Sequence, residues 1–358
     1  MSTDQYTKLY SAKDFPIFQN RVYQSTSEAM NCPKGDILLV QDSRTGLVHN
    51  HAFNPELLEY DNNYQNEQAL SKVFQDHLAQ VKGLIHQHFQ GNSLIEVGCG
   101  KGCFLEMLKA EGFQITGFDP TYEGSNPSVL KQYFSESARI QADALILRHV
   151  LEHIKDPIEF LSIMNQCNGG GKVYIEVPCF DWIMKRRAWF DIFYEHVNYF
   201  RLSDFHRIFG RIHDSGHLFG GQYLYVVADL SSIQTPKSRA SDLIQFPVNF
   251  LETIEEYTSK LLQSSFGLPT VIWGGSSKGV IFSLLMQRAN FRFDMVVDIN
   301  PAKQGRYLPS TGIRVYSPDE ALEILPPKSS IMVMNSNYLD EVIEMTSDRF
   351  KYLTIDTK

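Results

Sequence analysis

The sequence predicts an α/β protein in three parts. They are a small N-terminal β-containing module over 1–60, a central Rossmann-like domain over 61–235, and a second Rossmann-like α/β domain over 246–358. Three observations predict this. Strand-like and helix-like segments alternate from 94 to about 230 and again after 270, a pattern that builds mostly parallel sheets covered by helices. An apolar run enters a glycine-rich turn twice, at Gly98-Cys99-Gly100-Lys101-Gly102 and at Gly274-Gly275-Ser276-Ser277-Lys278-Gly279. Between the two blocks, 231–245 is polar and rich in Ser, and reads as a linker.

The elements follow in order. Ile37-Leu38-Leu39-Val40 and Leu47-Val48 flank the polar Asp42-Ser43-Arg44-Thr45-Gly46, as in a β-hairpin; the rest of 1–58 lacks strong periodicity. Ala69, Val73, Phe74, Leu78, Val81, Leu84 and Ile85 recur at helical spacing and predict a helix over 66–89. Strands are expected at Leu94, Ala144–Leu147, Val173–Val177 and Tyr223–Val227, with a helix from Pro157 to Met164 that has Pro in its first turn. The second block predicts a helix from Pro247 to Phe266, a strand at Thr270–Trp273, a helix from Val280 to Arg288, and strands at Met295–Asp298 and Ile331–Met334.

Composition narrows the function. The chain has 358 residues, 43% hydrophobic and 21% charged, as in ordinary soluble proteins. A net charge of −8 argues against nucleic acid as the main partner. The basic cluster Lys185-Arg186-Arg187 reads as a solvated helix face or as a contact for a phosphorylated substrate. Five cysteines without a CxxC spacing point to reduced thiols, a cytoplasmic location and no structural zinc. The chain shows neither a signal-peptide pattern nor an apolar run long enough to span a bilayer, so no membrane partner is expected.

The first glycine turn carries the cofactor reading. Gly98 and Gly100 tolerate positive φ and bring bare backbone close to a ligand. Asp119 lies 21 residues beyond Gly98, where a carboxylate can hold both hydroxyls of a ribose. Glu96 before the glycines, and the spacing Gly98-x-Gly100-x-Gly102 with no glycine at 103, point to S-adenosylmethionine (SAM) rather than a dinucleotide. The alternative is an α/β turn without a ligand.

Two segments bring titratable groups among apolar residues. In Arg148-His149-Val150-Leu151-Glu152-His153, His149 comes first after a strand and is expected near the cofactor. His149 and His153 are spaced like a metal pair, but no third ligand is apparent, so no metal is expected; Glu152 and His153 also read as a cap and its partner. In the aromatic run Trp189 to Phe200, Tyr194, Glu195 and His196 sit within a dry wall. His196 is a candidate general base, with Glu195 orienting it or raising its basicity; a buried histidine satisfied by its neighbours is the alternative. The segment Tyr60 to Gln68 reads as a lid over the cofactor with Tyr64 hydrogen-bonding, or as an ordinary loop.

Glu96-Val97-Gly98-Cys99-Gly100, His149-Val150-Leu151-Glu152-His153, Tyr194-Glu195-His196 with Tyr199-Phe200, the second glycine turn and Asp298 to Pro309 together resemble the SAM-dependent C-methyltransferases of nucleotide-linked deoxysugars, over nearly the whole chain. The resemblance implies a class I SAM-methyltransferase fold for the central domain. It makes His196 the base and His149 part of the active-site lining, with His149 or Tyr194 as the donor to an enolate. It sets Tyr64, Glu96, Gly98, Gly100, Asp119, Pro120 and His149 at the cofactor, with S-adenosylhomocysteine as product. It gives the C-terminal domain a nucleotide-sugar to hold, so Tyr199, Lys278 and Arg306 are expected at the substrate. That family carries a cysteine-rich zinc module at its N-terminus. Here Asp42 and Thr45 stand where a Cys-x-x-Cys pair is expected and Cys32 has no obvious partner, so a degenerate, zinc-less module is expected. The expected partner is a small molecule, the chain being a monomer or homodimer. O- or N-methylation, a non-catalytic SAM-binding protein, and, last, a nicotinamide cofactor at the second turn remain as alternatives.

Overall fold

The computed structural model describes residues 5–58, 69–265 and 267–356. Three sheets organise it. The first begins with β1 (Tyr6–Pro16), the short helix α1 (Thr26–Met30), β2 (Lys34–Asp42) and β3 (Val48–Asn50). β2 and β3 form the expected hairpin, and the Asp42 carboxylate closes its turn by accepting the N–H groups of Arg44 at 2.7 Å and Thr45 at 3.0 Å. β1 runs antiparallel along β2, an element the sequence pattern did not predict; two register shifts break the alternation that would have announced it.

The middle of the chain gives α2 (Lys72–Phe89), β4 (Ser93–Val97), α3 (Cys103–Ala110), β5 (Gln114–Phe118), β6 (Val129–Leu130), β7 (Ala144–Arg148), α4 (Pro157–Asn168), β8 (Lys172–Pro178), α5 (Phe180–Arg186), β9 (Asn198–Tyr199), α6 (Leu202–Ile208), β10 (Ile212–Leu218) and β11 (Tyr223–Asp229). All the strands but β9 form one sheet in the order β10-β11-β8-β7-β4-β5-β6, in which β11 and β10 extend the parallel set antiparallel. β9 leaves this sheet and closes the N-terminal one, pairing Tyr199 with Val48. α2 starts later than expected, at Lys72, where the Ser71 hydroxyl caps it by accepting the Phe74 N–H. The proposed lid, with Tyr64, lies outside the described residues.

The last part gives α7 (Thr253–Ser265), β12 (Thr270–Trp273), α8 (Ser277–Arg288), β13 (Met295–Val297), β14 (Val315–Tyr316), α9 (Pro318–Ile324), β15 (Ser330–Val333), α10 (Leu339–Met345) and β16 (Lys351–Thr354). Its parallel sheet has the order β14-β13-β12-β15-β16. α7 begins at Thr253 rather than Pro247. The stretch read as a free linker is instead a strap. The Gln41 side chain donates to Asp242 O and accepts from Ile244 N–H, and Arg201 donates to the same Asp242 carbonyl.

One hydrophobic core joins the three sheets, with Phe15, Phe118, Trp189, Phe282 and Met332 among its members. Trp189 stacks on Phe282 at 5.1 Å and so locks the aromatic run to α8. Among the described residues no helix is long and apolar enough to cross a membrane.

Both glycine turns are braced the same way. Asp119 accepts the Gly100 N–H at 2.8 Å, and Asp298 accepts the Gly275 N–H at 2.8 Å. At the second turn α8 comes so close that a Cβ on Gly279 would lie 1.9 Å from the Gly274 carbonyl oxygen. Gly279→Ala is therefore expected to destabilise the protein by about 1–3 kcal/mol through overpacking. Urea unfolding should show a lower midpoint with an unchanged slope, and an unaltered midpoint would refute this account of the packing.

Candidate active site

A cavity of about 410 Å³ opens at the carboxyl ends of β4, β7 and β8 and reaches the second glycine turn. Ligands of open parallel sheets bind at such an edge. The cavity brings together Glu96, Gly98, Gly100, His149, Glu195, His196 and Lys278 from the residues expected at the site.

Gly98 has φ +72°, and a Cβ there would lie 2.6 Å from a Val150 methyl, so only glycine fits. Glu96 is buried at the end of β4. Burial pushes its carboxyl up to about 7, with Asp119 adding to the effect and Arg148 opposing it. Its Oε2 has no hydrogen-bond partner among the described residues, which leaves a buried acceptor on the cavity wall. An unfilled acceptor beside a bare glycine cradle suits a ligand with amino or hydroxyl donors, and SAM has both. Asp119 and Pro120 do not line the cavity. Asp119 stands behind the turn, where Gly100 N–H and the Thr121 N–H and hydroxyl occupy its carboxylate.

Glu176, in the middle of β8, is fully buried. It accepts from His77 Nε2 at 2.6 Å and Arg148 Nε at 2.9 Å, and lies 3.5 Å from His149 Nε2. Burial opposes its ionisation, but Arg148, with the two histidines, holds its carboxyl well below the usual range. His149 follows β7 with φ +52°, a left-handed conformation that costs a non-glycine residue about 1–2 kcal/mol. Its ring lies between Glu152, at 3.3 Å, and Glu176. Burial alone would lower its pKa; the two carboxylates outweigh that and push it up to about 9.

His196 is buried against Phe193, with ring centroids 3.9 Å apart, and faces His153 at 5.0 Å. Burial, then the neighbouring His153 and His149, hold its imidazole well below the ordinary histidine range, so it is neutral near pH 7. Glu195 does not raise its basicity. The Glu195 carboxylate accepts Gln19 N–H at 2.9 Å, and its carbonyl meets His153 Nδ1 at 2.8 Å.

Besides Asp119 and Pro120, three expected residues stand elsewhere. The Tyr194 hydroxyl accepts Asn54 N–H at 2.9 Å and its ring covers Gly35, so it anchors the N-terminal segment instead of facing the cavity. The Tyr199 hydroxyl is taken by the backbone of Phe193. Arg306 does not line the cavity. Lys278 does; Asp191 at 2.9 Å, Gln222 at 2.8 Å and the Trp182 ring hold its ammonium. Sequence reasoning missed Glu176, His77 and Asp191. The signal available was a lone acid within an otherwise apolar strand, Val173 to Val177.

Glu176→Gln removes the charge that Arg148 and His149 compensate and that His77 hydrogen-bonds. Breaking a buried pair of this kind is expected to cost about 3–5 kcal/mol of stability, read by denaturant unfolding. A change within measurement error would sink the view that this carboxylate organises the site.

The comparisons with known proteins agree with the geometry. Residues 63–212 match the family described as methyltransferase domain, and residues 242–352 that described as C-methyltransferase C-terminal domain. The chain is 29% identical over 127 residues to a ubiquinone biosynthesis O-methyltransferase of Caulobacter vibrioides, covering 31% of this chain and 46% of that protein. A second Caulobacter relative of the same name is covered over 50% of its length, so the chain spans about half of each of these two. It is 21% identical over 334 residues to the C-methyltransferase NovU of Streptomyces niveus, covering 82% of this chain and 78% of NovU. Among solved structures, the Burkholderia thailandensis 1,6-didemethyltoxoflavin-N1-methyltransferase is 13% identical, with 44% of this chain and 80% of that one covered and a TM-score of 0.34. The central part of the chain thus has the class I, Rossmann-like fold of SAM-dependent methyltransferases, and 242–352 is similar to a C-methyltransferase C-terminal domain.

Proposed function

We propose that this protein C-methylates a nucleotide-linked keto-sugar or a related small molecule, with His196 as the base that forms an enolate. The observation that carries this reading is a buried, neutral imidazole on the wall of the cavity that also holds Glu96 and the glycine turn. The match of 242–352 to a C-methyltransferase C-terminal domain, and the likeness to NovU along most of the chain, favour carbon over oxygen or nitrogen as the acceptor.

SAM, when bound, supplies an electrophilic methyl group. Glu96, Gly98 and Gly100 hold it, and Asp119 keeps the turn in shape. A C–H beside a ketone is acidic enough for a histidine to remove when the oxygen is stabilised. His196 takes that proton, and Phe193 keeps water from its ring. His149, kept protonated between Glu152 and Glu176, stabilises the enolate oxygen. Tyr194 is dropped from that role because its hydroxyl is bound to Asn54. Lys278 approaches from the C-terminal domain and is read as a contact for the nucleotide-linked part. The N-terminal module is read as metal-free, the Asp42 hydrogen bonds closing the turn where the related family carries zinc.

Two measurements test this. The first is calorimetric titration with S-adenosylhomocysteine across pH. Ligand donors favour the ionised Glu96, whose pKa of about 7 in the free protein falls on binding. Affinity should therefore rise as pH increases through about 7, and Glu96→Gln should remove that dependence. An equal pH dependence in the variant would take Glu96 out of the donor site. The second is NMR of the product made with a carbon-13 methyl donor and nucleotide-linked keto-sugars. The methyl should appear on carbon, and His196→Gln should lower turnover about 100- to 10,000-fold while S-adenosylhomocysteine still binds. A methyl on oxygen or nitrogen would end the C-methylation reading.

A further inference from the structure

The guanidinium of Arg148, the last residue of β7, is only partly used by its neighbours. Its Nε donates to the buried Glu176 carboxylate at 2.9 Å, and its Cζ lies 4.7 Å from the centre of the Phe104 ring. Its side chain is 10% exposed and lines the cavity, as Phe104 does. Its Nη2 is buried and has no hydrogen-bond partner among the described residues. Glu96 Oε2, on the wall of the same cavity, is buried and unmet in the same way. We propose that Arg148 Nη2 receives the α-carboxylate in the methionine part of SAM, so that Arg148 and Glu96 together recognise the amino-acid end of the methyl donor.

A guanidinium only donates and stays charged, so a buried terminal nitrogen without an acceptor is costly. Glu96 Oε2 and Arg148 Nη2 do not satisfy each other, although their charges act on each other through space. One cavity thus presents an unfilled donor on a cation and an unfilled acceptor on a carboxyl group. An ammonium and a carboxylate on the same carbon complement that pair, and the amino-acid end of SAM carries both. The adenosyl end has no anionic group to offer Arg148. A phosphate would meet Arg148 but would set a second negative charge against Glu96.

The guanidinium is held ready for this from two directions. Glu176 fixes its Nε from β8, and the Phe104 ring supports it from α3, the helix into which the first glycine turn opens. A planar fork already fixed in place loses little freedom when it binds a carboxylate. Anchoring one end of the donor also limits how its methyl group is aimed. Arg148 therefore has two duties, one toward the buried Glu176 and one toward the ligand. This inference rests on the cofactor and does not depend on the identity of the methyl acceptor.

The test is calorimetric titration of the full chain with S-adenosylhomocysteine and with its decarboxylated analogue, which keeps the amine and the adenosyl thioether and lacks only the carboxylate. The wild type should bind the complete ligand about 10- to 100-fold more tightly. Arg148→Lys keeps a charge for Glu176 but has a single nitrogen in place of the fork. It should bind the analogue as the wild type does and lose the preference for the complete ligand, whereas a merely structural role would weaken both ligands alike. Phe104→Leu leaves the pair with Glu176 in place and should reduce the same preference. Equal affinities in the wild type, which need no substitution to measure, would overturn the assignment. So would a preference left undiminished in the folded variants. Wild-type protein that binds neither ligand would overturn the donor site and this assignment with it.

Discussion

A carboxylate with no exposure to water sets the terms for this site. Glu176 lies in a buried stretch of β8 flanked by Ile175 and Val177, and an unpaired charge there would not survive in ionised form. It is tolerated because three elements bring partners: His77 from α2, Arg148 from the end of β7, and His149 from the residue beyond. The same interactions fix where each element ends. α2 must run close over the sheet, Arg148 must turn inward under Phe104, and His149 must accept a left-handed backbone to reach both its carboxylates. The site is organised around this charge, and the glycine turn is arranged beside it.

Charge decreases across the cavity from that centre. Near Glu176, Arg148 and His149 are paired with it and ionised. Glu96 lies at the edge of the field, with burial working against its charge and Arg148 supporting it. His196, on the far wall, is neutral among aromatic rings. One cavity thus offers an acidic cradle, a protonated imidazole and a free imidazole within a few residues. Their environments, more than their identities, separate their chemistry.

Much of this was legible in the sequence, and what was not has local reasons. The glycine turns, the alternation of strands and helices, and the prominence of His149 and His196 are short-range signals, and they were read directly. β1 was missed because its bulges erase the period of two. Glu176 was passed over because a single acid in a strand resembles ordinary alternation until its neighbours are known. Tyr194 was expected as an enolate donor and Tyr199 at the substrate, because a dense aromatic run reads as a pocket wall and the family resemblance places them there. Most of that run is core, and Asp191, Phe193, Glu195 and His196 are the members that line the cavity among the described residues. The association of His153 with His196 is tertiary: the two approach only because Val197 pairs with the backbone of Glu152, and no spacing rule announces that.

β9 carries a consequence for how the chain acquires its structure. The hairpin and β1 form from the first residues to emerge, but the outer edge of β3 stays unpaired until Asn198 and Tyr199 are available. Until then it is an open strand edge, the kind of surface on which chains associate wrongly. Tyr23 also bridges to Tyr307, so the earliest segment waits for nearly the latest before its contacts are complete. Folding here is governed by long loop closures rather than by local order. Slow completion of the N-terminal sheet is built into the order in which the sequence is read.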